Sequence, residues 1–161
     1  MVVNKLYKNL MEHWKKYGYS VYKNQDLSEA GKNDCEELYL NDPLEAEVKN
    51  QLATELIEMF FGNNDRQYVD DDIINYLNSN PLVRYYFAFE EKLNVYIKEG
   101  LISKNNIFSA AQNYLLDSDD VEGIKFALSL LRYCANEEAE EILKAFSNHN
   151  EFIFYCIEGL K

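Results

Sequence analysis

The chain has 161 residues, nearly half of them apolar, and a formal charge of −12. That is enough material for one compact domain burying roughly 70% of its unfolded surface, and too apolar a composition for disorder. Two prolines and six glycines argue against a turn-rich β fold, and no apolar run reaches the ~18 residues that a membrane span needs.

Residues 3–17 set Val3, Leu6, Leu10, Trp14 and Tyr17 three and four apart, which predicts an amphipathic helix with a lysine-rich opposite face, ended by Gly18. Its charges begin at once, with Lys5 and Lys8 and no apolar run behind them, so it does not read as a signal peptide. Regularity is lost between Tyr19 and Leu40, where an ordered loop is expected; residues 18–41 are the one plausible linker. Asp42 as N-cap and Pro43 in the first turn predict the start of the clearest helix. Leu44, Val48, Leu52, Leu56 and Phe60 follow at every fourth position, joined by Ile57 and Met59 and stopped by Gly62-Asn63-Asn64.

Asp70-Asp71-Asp72 precedes a short segment with Ile73, Ile74, Tyr76 and Leu77. Ser79-Asn80-Pro81 is expected to cap a helix striped by Leu82, Tyr86, Phe89, Leu93, Tyr96 and Ile97 and ended by Gly100. Ser103 opens another, carrying Ile107, Phe108, Ala111, Tyr114 and Leu115. Asp117-Ser118-Asp119 is the next expected cap, before a face of Val121, Ile124, Ala127, Leu128, Leu131 and Cys134. A turn at Ala135-Asn136 leads to Ala139, Ile142, Leu143 and Phe146, and a last helix carries Phe152, Ile153, Cys156, Ile157 and Leu160. About eight helices with short loops force antiparallel neighbours.

Two of these helices superimpose at a 29-residue offset: Ile124, Ala127, Leu128 and Leu131 fall on Ile153, Cys156, Ile157 and Leu160. Recurrent apolar positions in successive helices are what stacked hairpins need, because each buries its apolar face against the next. The parts at 119–160 are Asp119 or Asp120, Val121, Ala127-Leu128, the turn, and Glu138-Ala139 through Leu143. Together with Asn80-Pro81-Leu82-Val83-Arg84 they resemble a HEAT-type α-helical repeat over about half the chain. The resemblance implies a protein-interaction scaffold with no catalytic residues. The expected fold class is all-α, stacked as an irregular HEAT-like solenoid or a helical bundle. A single domain over 1–161 is expected, with 1–41 a helix plus an irregular segment and 42–161 stacked helical hairpins.

The usual chemical constellations are missing from the sequence. His13 and His149 are the two histidines, and neither sits in a metal-binding spacing. Cys35, Cys134 and Cys156 are odd in number and far apart, unsuited to a disulfide framework or a zinc site and consistent with a reducing cytoplasm. The three aspartates at 70–72 read as helix-capping groups rather than cation ligands, since no glycine-turned ligand loop surrounds them. The expectation is therefore a cytoplasmic protein with no catalytic, cofactor-binding or metal-binding residues.

Charge is uneven. Residues 1–25 hold five lysines against Glu12 alone, and the remaining 136 hold 11 basic and 27 acidic side chains. Such a surface repels nucleic acid and anionic membranes and steers a basic partner. The expected contact residues are Glu137, Glu138, Glu140 and Glu141, with Tyr85, Tyr133 and Tyr155, which fall off the assigned apolar stripes and suit an interface. The main expectation is a non-enzymatic protein-binding module. Its sharper form is an immunity-type inhibitor occluding a basic toxin. The alternatives are a homodimer through the C-terminal helix and a carboxylate-only metalloenzyme.

Overall fold

The computed structural model describes residues 5–17, 44–61, 70–134, 136–147, 152, 155 and 156. Among them the protein is all-α, with no strand. The helices are α1 (Lys5–Tyr17), α2 (Ala46–Phe61), α3 (Asp71–Ser79), α4 (Tyr86–Lys98), α5 (Lys104–Asp117), α6 (Val121–Leu131) and α7 (Glu137–Phe146). A 3-10 turn, Leu82–Tyr85, leads into α4.

In α1 the buried residues are Tyr7, Leu10 and Met11, with Leu6 and Trp14 at the margins and Tyr17 exposed. The inward face is thus turned from the predicted stripe by about one position. In α2 the four-residue spacing has a similar consequence. Each step of four advances about 40° around a 3.6-residue helix, so the stripe winds off the core: Leu56 and Phe60 are buried, whereas Val48 is exposed. The helix starts at Ala46, with the Lys49 amide donating to the Glu45 carbonyl at 3.0 Å. Asp42 and Pro43 lie outside the described residues.

Capping side chains set most of the later boundaries. Asp70 accepts from the Ile73 amide at 2.9 Å and Ser103 from the Asn106 amide at 3.1 Å. Asp120 accepts from the Gly123 amide at 3.0 Å, so of the two aspartates offered, Asp119 and Asp120, it is the second that caps α6, one residue beyond the Asp117-Ser118-Asp119 run. Asn136 caps α7 through the Ala139 amide at 2.7 Å. Ser79 and Asn80 do not cap α4, which begins without a side-chain cap; Asn80 closes α3 instead, its amide donating to the Tyr76 carbonyl at 2.7 Å. At the end of α4, Gly100 adopts φ +72°. There the Leu101 amide reaches the Tyr96 carbonyl at 3.0 Å and the Gly100 amide the Ile97 carbonyl at 3.1 Å, the paired closure that a left-handed residue permits.

At the centre lies α6. Every residue from Gly123 to Leu131 is buried, so the one-faced stripe expected there is a correction: Phe126 and Leu130 fill the other side. Phe126 packs its ring against Phe60 and Phe89, centroids 5.6 Å away in both pairs. Around α6 stand α5, α3, α7 and the 3-10 turn, while α2 pairs with α4. Amino-terminal α1 rests on α7 and α5, a contact between helices distant in sequence that strict neighbour-on-neighbour stacking does not provide. Phe152, Tyr155 and Cys156 are buried too. Ile153, Ile157 and Leu160, three of the four C-terminal members of the 29-residue superposition and part of the helix offered for a homodimer, lie outside the described residues.

Candidate binding cleft

Tyr114 and Gly123 underlie a concave polar site among the described residues. Both α3 and α5 pack on α6, and at Gly123 side chains of both come close to its backbone. A Cβ at Gly123 would collide with the Tyr114 hydroxyl and lie 2.7 Å from the Ile74 Cδ1. The missing side chain therefore lets α5 and α3 meet over the first turn of α6.

Between them lies a cavity of about 300 Å³ lined by Asp71, Ile74, Ala110, Asn113, Tyr114, Asp117 and Ser118. The turn from α5 to α6 forms one rim. There the Ser118 hydroxyl donates to the Tyr114 hydroxyl oxygen at 3.0 Å, Tyr114 donates to the Asp120 carbonyl at 3.4 Å, and the Asp120 amide donates to Ser118 Oγ at 3.3 Å. Asn78 on α3 donates to the Asp120 carboxylate at 3.1 Å and ties the two walls.

The electrostatics follow from that geometry. Burial pushes the Tyr114 phenol up to about 12; the Ser118 hydrogen bond pulls the other way, and the Asp120 and Asp119 charges push it up further. Tyr114 therefore stays protonated and neutral at physiological pH. Asp71, Asp117 and Asp119 are exposed carboxylates. The site offers carboxylate and neutral acceptors together with the apolar lining of Ile74 and Ala110. It can hold a cation that carries a hydrocarbon stem. Among the described residues, no group of three or more His, Cys, Asp or Glu side chains is disposed to hold a metal ion.

A second constellation lies inside the protein. Lys125, Ser129 and Arg132 follow at i, i+4 and i+7, one stripe along α6 and just past its end. Lys125 is only 5% exposed, pairs with Glu122 at 3.5 Å and lies 5.8 Å from the centroid of Tyr155. Arg132 pairs with Glu90, donates to the Tyr86 hydroxyl, and sits over the Tyr86 and Tyr133 rings at 5.6 and 6.0 Å. Tyr86 and Tyr155 meet edge to face at 5.7 Å. Burial raises the Tyr86 phenol, while Arg132 and a hydrogen bond with Ser129 lower it. These pairings tie α4, α6 and Tyr155 together.

The residues expected at an interface are not gathered into one surface. Glu137, Glu138, Glu140 and Glu141 are exposed on the first turns of α7, whose other face buries Ala139, Ile142, Leu143, Ala145 and Phe146. Glu138 accepts from Gln112 at 3.5 Å. Tyr133 is half-buried beside Arg132. Tyr85 and Tyr155 are corrections, at 1% and 0% exposure. Tyr85 lies in the 3-10 turn, where three residues complete a turn and Leu82 and Tyr85 share the inward face; its hydroxyl donates to the Asn80 carbonyl at 2.8 Å. Tyr155 is walled by Tyr86 and Lys125.

Sequence reasoning took Asp117-Ser118-Asp119 as a helix cap and missed the cleft. The available signal was Gly123, a glycine in a helix interior, which marks close approach of a neighbouring element. Compared with protein-family models, curated proteins and solved structures, the chain matches none of them.

Proposed function

We propose that this protein is a non-enzymatic, cytoplasmic protein-binding module that receives a basic polypeptide at the cleft between α3 and α5. The observation that carries the reading is the cleft itself, in which Asp71 and Asp117 stand with Ile74 and Ala110 as apolar lining. Apolar lining beneath like charges favours a basic side chain with a hydrocarbon stem over a nucleic acid. The wider acidic surface, with Glu137, Glu138, Glu140 and Glu141 on α7, speeds encounter by attraction over roughly a Debye length. An acidic inhibitor that occludes a basic toxin is the narrow form of this reading, and a HEAT-like scaffold the structural form of it.

Carbodiimide cross-linking in lysate at low salt, followed by mass spectrometry, tests the reading. The expected adducts join Asp71, Asp117 or Asp119 to lysines of one basic protein, and complex formation by the purified pair falls steeply as salt rises. The reading is wrong if no basic protein is joined to these carboxylates, or if the purified complex is indifferent to salt.

A further inference from the structure

The geometry points to a more specific occupant, on the strength of the protein-binding reading: the cleft takes a single arginine side chain of the partner. Its volume of about 300 Å³ lies at the small end of ligand pockets, room for one side chain and not for a folded element. Carboxylates come from two helices, Asp71 at the start of α3 and Asp117 at the end of α5, with Asn113 and Ser118 as neutral polar neighbours. A cavity lined by acceptors from two helices suits a planar group with five N–H donors better than an ammonium with three. Ile74 and Ala110 supply apolar wall for the three-carbon stem.

Solvation points the same way. A guanidinium is more weakly hydrated than an ammonium, so it gives up less on entering a half-enclosed site. The protein already seats a guanidinium of its own in similar company: Arg132 lies among the Glu90 carboxylate and the Tyr86 and Tyr133 rings. The cleft is shaped by packing rather than by charge alone, because its floor exists only while Gly123 lets Ile74 and Tyr114 close over α6.

The test titrates the isotope-labelled full chain with acetyl-arginine amide and with acetyl-lysine amide, reading backbone amide shifts. Arginine is expected to move the amides of Ile74, Asn113, Tyr114 and Ser118 and to bind several-fold more tightly than lysine. The Asp71→Asn/Asp117→Asn double variant, checked for native shifts elsewhere, is expected to bind arginine about tenfold more weakly. A Glu47→Gln/Glu58→Gln variant, changed at exposed positions of α2, is expected to leave this binding unchanged.

The assignment is overturned if the two ligands move the same amides equally, or if the aspartate double variant binds arginine as the parent does. A cross-linked partner that binds the double variant undiminished removes the arginine slot and leaves the protein-binding reading standing. A chain that binds acetyl-arginine amide in the cleft but joins no basic protein removes the protein-binding reading instead.

Discussion

Helices α6 and α7 are close in length, 11 and 10 residues, and both start from a capping side chain, Asp120 and Asn136. Their charges end up on opposite sides of the protein surface. In α7 the glutamates face solvent and one apolar side faces inward, the usual arrangement of a peripheral helix. In α6 the surroundings close over every residue from Gly123 to Leu131, and Lys125 is buried with the apolar residues. Charge on the outer helix shapes the field a partner meets. Charge on the inner helix constrains packing, since a buried ion pair contributes little net stability compared with well-fitted apolar groups.

The largest effect that sets the two apart is Phe126→Ala. Phe126 touches the rings of Phe60 and Phe89, so its loss is expected to destabilise by about 3–5 kcal/mol. Glu141→Ala on exposed α7 is expected to stay within about 0.5 kcal/mol. Urea unfolding of the two variants measures the contrast, and comparable midpoints would erase it.

Next in size is Gly123→Ala. A methyl group there must displace the Tyr114 hydroxyl or Ile74, and overpacking of this kind costs about 1–3 kcal/mol. In an open helix the same change would stabilise by about 1 kcal/mol, so the sign of the measured change is decisive. A more stable variant would mean that the walls of the cleft do not close over Gly123.

Lys125→Met should be gentler. It keeps the stem and removes the charge from a buried site, and stability is expected to stay within about 1 kcal/mol of the parent. Lys125→Ala, which also removes the packed stem, should cost more. If Met is as damaging as Ala in thermal unfolding, the charge of Lys125 matters more than its packing.

Alkali should find α6 before α7. Burial raises the Tyr114 phenol and the Cys134 thiol to about 12 from ordinary values of 10.0 and 9.0, and Tyr86 is raised as well. A raised folded-state value means the unfolded chain loses these protons first. The contribution is therefore whole below about pH 9 and is lost as pH climbs toward 12. All three groups border α6 or its turns, whereas α7 contains neither tyrosine nor cysteine. Urea midpoints at pH 8, 9.5 and 11 should fall in that order, and Tyr114→Phe should flatten the decline. A midpoint that holds steady to pH 11 would contradict the burial of these groups.

Comparing the same helices shows what was legible in the sequence. The outward charge and inward Ala139, Ile142, Leu143 and Phe146 of α7 could be read directly, because an amphipathic helix writes its environment into its periodicity. The all-α class was legible for the same reason. For α6 the stripe was real but incomplete: Phe126 and Leu130 off that face were the sign of burial on every side. The buried Lys125 and Arg132 could not be foreseen from spacing alone, since their partners Tyr86, Glu90 and Tyr155 come from distant segments. The cleft stayed hidden because its two carboxylates lie 46 positions apart in the chain, and packing on α6 brings their helices together.

The smallest effect is also the one that most sharpens the comparison. Changing Glu137, Glu138, Glu140 and Glu141 together to Gln removes negative charge from the start of α7, where it favours the helix dipole. It also relieves repulsion among neighbouring glutamates, and the two effects oppose each other. The expected net change in stability is under about 1 kcal/mol and shrinks further in salt. If these side chains serve encounter rather than folding, the same variant should slow association with a basic partner at low salt while leaving dissociation nearly unchanged. Stopped-flow binding separates the two rates. A faster dissociation with an unchanged association rate would move the glutamates of α7 from the approach to the contact itself.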